Sequence, residues 1–90
     1  MHGIHKNNKQ ILSRIKRITG QLRGIEKMIQ SDVYCINIIT QTSAVKNAIS
    51  SLEDVMLESH LEHCLNADIN KNRQKEMQKE IIKVYKLKRK

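Results

Sequence analysis

Isoleucine and leucine set the rhythm of the first third of the chain: Ile11, Ile15, Ile18, Leu22, Ile25 and Ile29 alternate steps of four and three residues. Side chains at that spacing line one side of an α-helix, so this stretch predicts a helix that packs lengthwise along another helix. Ser31 and Asp32 follow. Their side-chain oxygens can accept from the free N–H groups at a helix start, and they predict the N-cap of a second helix. Residues 32–65 contain no Gly and no Pro, while Ile38, Val45, Ala48, Ile49, Leu52, Val55 and Met56 recur at helical spacing. One continuous helix is the simplest expectation. The pattern lapses around Asn66, Asp68 and Asn70, where Asn66 offers a C-cap and Asp68 or Asn70 an N-cap for a third helix. Met77, Ile81, Val84 and Leu87 then resume the helical period. The tail of Lys86, Lys88, Arg89 and Lys90 has nothing apolar to bury beyond Leu87 and is expected to fray. With no β-like alternation and no internal repeat or linker, the chain reads as an all-α, three-helix subunit.

Two glycines break the economy of the first helix. Gly20 and Gly24 lie one turn apart, and each weakens a helix interior. Two uses would compensate: close helix contact in an oligomer, or close approach of backbone to a nucleic-acid phosphate.

Ninety residues at 39% apolar content make one small domain, residues 1–90, whose single copy buries only a modest core. Self-association is the expected remedy. No apolar run nears the ~20 residues of a membrane span, and residues 1–10 are polar rather than signal-like. A cytoplasmic protein is expected, with no membrane partner.

The net charge of +8 is unevenly placed. Residues 1–30 carry seven Lys/Arg against Glu26 alone, residues 31–65 carry Lys46 against five acids, and residues 66–90 carry nine against three. Basic ends around an acidic middle point to a polyanion met by the first segment and the last. Aromatics at 2% disfavour single-strand recognition by base stacking, and neither helix-turn-helix nor zinc-finger spacing is evident. Contact with DNA would rest on Lys and Arg. A short helical chain with no Phe, no Trp and few loops offers little substrate cavity, so the expectation is that the protein is not an enzyme.

Cys35, His60 and Cys64 carry the distinctive chemistry. His60 and Cys64 are four apart, so on a helix they project from one face and can chelate one ion. At a rise of ~1.5 Å per residue, Cys35 would stand roughly 43 Å from Cys64 and could not join them within one molecule. An antiparallel pairing of this helix with its symmetry mate brings Cys35 of one subunit beside His60 and Cys64 of the other, and a two-fold axis makes two such sites. Two thiolates and one imidazole form a soft, low-coordinate set suited to Cu(I), whereas Zn normally takes a fourth ligand. His63 lies on the flank of this face and reads as a surface histidine. His2 and His5 could reach in as extra nitrogen ligands and favour Ni(II) or Co(II). The two thiols are too far apart to close an intrachain disulfide, which fits a reducing compartment.

The run Arg17-Ile-Thr-Gly-Gln-Leu-Arg-Gly24, then Asp32-Val-Tyr-Cys35, Thr40-Gln-Thr-Ser-Ala-Val-Lys46 and Leu57-Glu-Ser-His60-Leu-Glu-His-Cys64 resembles the CsoR/RcnR family of bacterial metal-sensing repressors. The likeness is greatest to the copper-sensing CsoR branch, whose ligand pattern is Cys, His, Cys. The resemblance implies a three-helix subunit, an antiparallel dimer with a four-helix-bundle core, and a tetramer of two dimers. It also implies an apo protein that binds double-stranded operator DNA and releases it when Cu(I) is held by Cys35, His60 and Cys64. Tyr34 and Glu80 fall where the copper branch has residues that orient the ligands. Arg14, Lys16, Arg17 and Arg23, with Lys46, are then the expected DNA-facing charges. Three alternatives stay open: a nickel/cobalt-responsive repressor, a repressor sensing formaldehyde or persulfide through thiol modification, and a copper-buffering protein.

Overall fold

The computed structural model describes residues 8–66 and 71–89, with side chains described for 8–62 and 73–89. Three helices make up the described residues: α1 (Asn8–Gln30), α2 (Cys35–Asn66) and α3 (Lys71–Arg89). The chain divides into two compact units, Met1–His60 and Leu61–Lys90. Asp68 and Asn70, expected as caps, lie outside the described residues, and so does the side chain of Asn66, where α2 ends.

In the first unit, α1 and α2 meet along a narrow seam. Ile11 and Ile18 of α1 are buried with Val45 and Leu52 of α2, and Ile25, Ala48, Val55 and Met56 pack against this cluster. Steps of seven residues separate Ile11, Ile18 and Ile25 on one helix and Val45 and Leu52 on the other. Such steps keep a line of side chains on the contact side over successive pairs of turns. Burying each of these aliphatic side chains contributes about 1.5–3 kcal/mol, so the cluster is a small one for the helices it joins. The other half of the predicted α1 stripe stays uncovered: Ile15, Leu22 and Ile29 are 42%, 52% and 62% exposed.

The α1–α2 connection differs from the expectation that Ser31 and Asp32 open the second helix. Asp32 adopts a left-handed backbone with φ 57°. The Asp32 N–H donates to the Ile29 carbonyl at 3.2 Å and the Val33 N–H to the Met28 carbonyl at 3.0 Å. This pair of backward bonds closes a helix C-terminus in the Schellman arrangement. Ser31 belongs to the same closure, its N–H donating to the Lys27 carbonyl at 2.9 Å. Both residues are therefore spent ending α1, and Asp can do so because its short polar side chain tolerates the left-handed region. Tyr34 then takes the N-cap position through its backbone, its carbonyl accepting from the N–H groups of Asn37 (3.0 Å) and Ile38 (3.4 Å). The consequence for the site is that α2 begins with Cys35 itself.

Three threonines fold their hydroxyls back onto the helix. Thr19, Thr40 and Thr42 each donate to the carbonyl four residues earlier, on Ile15, Ile36 and Ile38, at 2.9 Å. That bond satisfies the hydroxyl locally.

In the second unit, Met77, Ile81, Val84 and Lys88 of α3 are half-buried and define one side of the helix. The expected fraying of the tail is corrected, because α3 continues through Arg89. Arg89 reaches back one turn, its guanidinium 5.8 Å from the centre of the Tyr85 ring, a contact of cation–π type. Lys86, Lys88 and Arg89 in the last turn also suit the negative end of the helix dipole.

Candidate functional site

Cys35 opens α2 and is exposed. His60 is half-buried on the same helix. Cys64 lies in α2 one turn further on, with its side chain, like that of His63, outside the described ones; His2 and His5 lie outside the described residues altogether. Because α2 is unbroken, a rise of ~1.5 Å per residue sets Cys35 roughly 37 Å from His60. Among the described residues no group of three candidate ligands gathers within the chain.

Rotation about the helix axis tells the complementary half. At about 100° per residue, Cys35 and His60 come within about 20° of each other around α2, so both stand on one side at opposite ends. Ile39 and Ile49 flank that side between them and are 58% and 43% exposed. The side bearing the two candidate donors thus also carries exposed isoleucines that no described residue buries. Val45 and Leu52, which hold α2 to α1, lie roughly a quarter-turn away. Lys46, exposed, shares the donor side, and Glu53, half-buried, lies two turns beyond it.

Tyr34 precedes Cys35 and is 68% exposed. Its position as N-cap fixes the backbone from which Cys35 departs. Glu80 is exposed on α3 in the second unit.

The cationic residues of α1 sort by direction. Lys16 and Arg23 are exposed and stand nearly opposite the Ile11–Ile18–Ile25 line, in the same stripe as Lys9 and Lys27. Arg17 is exposed beside them, whereas Arg14 is half-buried on the flank of the core. Gly20 and Gly24 open on this outer side, and a Cβ at either would meet nothing within 4 Å.

Two polar positions escaped the sequence reading. Ser59 is 4% exposed and holds the next step of seven after Val45 and Leu52, a signal that was available in the spacing. Gln21 lies inside the Arg17–Gly24 run, and its Oε1 is buried with no hydrogen-bond partner among the described residues. A buried amide oxygen left unpaired weakens the fold, and its place beside the α1 core line between Arg14 and Met28 would have flagged it.

Candidate soft-metal donors at the two ends of one helix, exposed isoleucines between them and a basic outer helix suit one class, the helical, metal-responsive regulators of transcription. A family model described as metal-sensitive transcriptional repressor matches residues 7–87, and the chain belongs to this family, the CsoR/RcnR family. It is similar to the copper-sensing transcriptional repressor CsoR of Bacillus subtilis (strain 168), 38% identical over 85 residues that cover 94% of this chain and 84% of the relative. It is also similar to the copper-sensing transcriptional repressor RicR of Mycobacterium tuberculosis (strain ATCC 25618 / H37Rv), 42% identical over 64 residues covering 71% and 67% of the two chains. The structure resembles the crystal structure of the copper-sensing repressor CsoR with Cu(I) from Geobacillus thermodenitrificans NG80-2, with TM-score 0.84 and 34% identity over 100% of this chain and 95% of that one. These likenesses place the chain with the CsoR branch. The family is one of regulators, and the chain is not an enzyme. No helix among the described residues is long and apolar enough to cross a membrane.

Proposed function

We propose that the protein is a Cu(I)-responsive repressor that acts in the cytoplasm, binds double-stranded operator DNA without metal and releases it when Cu(I) binds. The observation that carries this reading is the placement of Cys35 and His60 on one side of an unbroken helix but at its two ends, with Ile39 and Ile49 exposed between them. A second copy laid antiparallel on that side would bring Cys35 of one subunit to His60 and Cys64 of the other and cover Ile39 and Ile49 in doing so. Each dimer would hold two sites, and two dimers would form a tetramer. The donor chemistry fits the ion: thiolate sulfur and imidazole nitrogen in a low-coordinate set prefer Cu(I). Tyr34 and Glu80 would orient the ligands.

On the DNA side, Lys16, Arg17 and Arg23 would meet phosphates from the outer face of α1, with Arg14 and Lys46 beside them. Such contacts position a protein on duplex DNA and make its affinity salt-dependent. Coupling between the sites requires Cu(I) to favour one arrangement of the assembly over another, and about 3 kcal/mol of such preference loosens DNA more than a hundredfold. Ligands drawn from two subunits supply that preference, because they tie the metal to the relation between subunits.

The exposed Cys35 thiol also favours a second reading, a repressor that senses thiol-modifying compounds. The test is a titration of DNA-bound protein with Cu(I), Ni(II), Co(II) and formaldehyde in turn. Release by Cu(I), lost in His60→Ala and kept in a His2/His5 double alanine variant, supports the copper reading. Release by Ni(II) or Co(II) that needs His2 and His5, or by formaldehyde without His60, would replace it.

A further inference from the structure

The basic charge of α3 has no part in the reading above, yet its arrangement is as ordered as that of α1. Met77, Ile81, Val84 and Lys88 mark the half-buried side of the helix. Directly opposite, within about 80° of arc, stand Lys75, Lys79, Lys83 and Lys86. All four are exposed. Their spacing of four, four and three residues stacks like charges along one line, an arrangement that destabilises an isolated helix. The two acids of α3, Glu76 and Glu80, flank the line three residues before Lys79 and Lys83 and offset part of that repulsion.

We infer that Lys75, Lys79, Lys83 and Lys86 form a second contact for the sugar-phosphate backbone of duplex DNA, separate from the α1 surface and indifferent to base sequence. The inference rests on the repressor reading for the identity of the polyanion. Successive lysines are roughly 6 Å apart along the axis, and duplex DNA carries one phosphate charge per ~1.7 Å of its own axis, so the line can meet several phosphates at once. A lipid surface fits less well. Of the exposed apolar residues Ile82, Tyr85 and Leu87 (53%, 62% and 64% exposed), Ile82 and Tyr85 neighbour each other at i, i+3 while Leu87 stands about 140° or more from both, so only two side chains share a side, too few for an inserting face. The contact would hold the protein on DNA generally and leave selection of the operator to other residues.

The test uses the full chain and a labelled mixed-sequence duplex, with affinity measured over a range of salt. Replacing all four lysines by Gln keeps good helix formers in place, and circular dichroism checks that α3 persists. The quadruple Gln variant should show a salt dependence shallower by about two units or more in the log–log slope, and affinity lower by about tenfold or more at physiological salt. The quadruple Arg variant should retain both. An unchanged slope in the Gln variant overturns the inference while leaving the repressor reading intact. Failure of the wild-type protein to bind the mixed-sequence duplex even at low salt overturns the inference, and failure to bind any promoter fragment would overturn the repressor reading. Loss of binding to phosphatidylserine vesicles in the Gln variant, with its duplex slope unchanged, assigns the line to a membrane surface and likewise overturns the inference.

Discussion

The Val33 N–H donates to the Met28 carbonyl at 3.0 Å, and this bond closes because Asp32 between them takes φ 57°. A residue with a Cβ in the left-handed region carries strain of about 1–2 kcal/mol that Gly lacks, and Gly returns part of the gain by loosening the unfolded chain. Asp32→Gly should therefore stabilise the protein by about 0.5–1 kcal/mol. Asp32→Val, β-branched, should destabilise it by about 1–2 kcal/mol. Thermal unfolding at one fixed protein concentration reads both. Equal melting temperatures for Val and Gly would remove this account of the turn.

Gly20 and Gly24 stand where added methyl groups meet nothing, so the subunit itself does not require them. Alanine at either should strengthen α1 by about 1 kcal/mol. Both lie beside Lys16, Arg17 and Arg23, on the side away from the uncovered Ile15, Leu22 and Ile29. Backbone approach to DNA thus has the better claim on them than contact between copies. The expected result for Gly20→Ala and Gly24→Ala is higher thermal stability and unchanged assembly with weaker DNA binding. Weakened assembly in analytical ultracentrifugation would return the glycines to a subunit interface.

Much of this was legible beforehand because it is written in single-helix periodicity. The stripe from Ile11 to Ile29 gave α1 its length, and the unbroken run after Ser31 gave α2 as one rod that parts Cys35 from His60. Turn chemistry was harder. Ser31 and Asp32 are good N-cap types, but the same side chains tolerate a C-terminal closure, and only the φ of Asp32 decides between the two. Periodicity also says which residues are apolar without saying which are covered. Ile11 and Ile15 look alike in the sequence, yet one is 4% and the other 42% exposed. The end of α3 differs from the expectation for a related reason: the Tyr85–Arg89 contact is a pairwise effect that a count of apolar residues does not register.

Ile39 and Ile49 separate folding from assembly. Neither belongs to the buried cluster that joins α1 to α2, so Glu at either position leaves the subunit core untouched. If a second copy covers them, a buried unpaired carboxylate would oppose association strongly. Ile39→Glu and Ile49→Glu should remain helical but sediment as smaller species, and they should lose tight Cu(I) binding together with assembly. Leu52→Ala offers the contrast, since truncating a buried Leu removes about 2–5 kcal/mol from folding. Variants that keep the wild-type mass and metal affinity would show that this side of α2 faces solvent in the working protein.

A ligand set divided between two copies makes a prediction that no single-chain site can imitate. If Cys35 of one copy and His60 and Cys64 of another hold one ion, Cys35→Ala leaves every dimer without its N-terminal sulfur donor, and His60→Ala leaves every dimer without its imidazole, so each variant alone should bind Cu(I) weakly. In a mixed dimer the intact Cys35 of one chain meets the intact His60 and Cys64 of the other, and one complete site returns while the second lacks both donors. Unfolding and refolding the two variants together should therefore restore tight binding at about one ion per mixed dimer, with random pairing making about half the dimers mixed. Competition against a Cu(I) chelator gives the stoichiometry, and native mass spectrometry gives the fraction of mixed dimers. A mixture that binds no better than its parts would mean that Cys35 and His60 never serve the same ion.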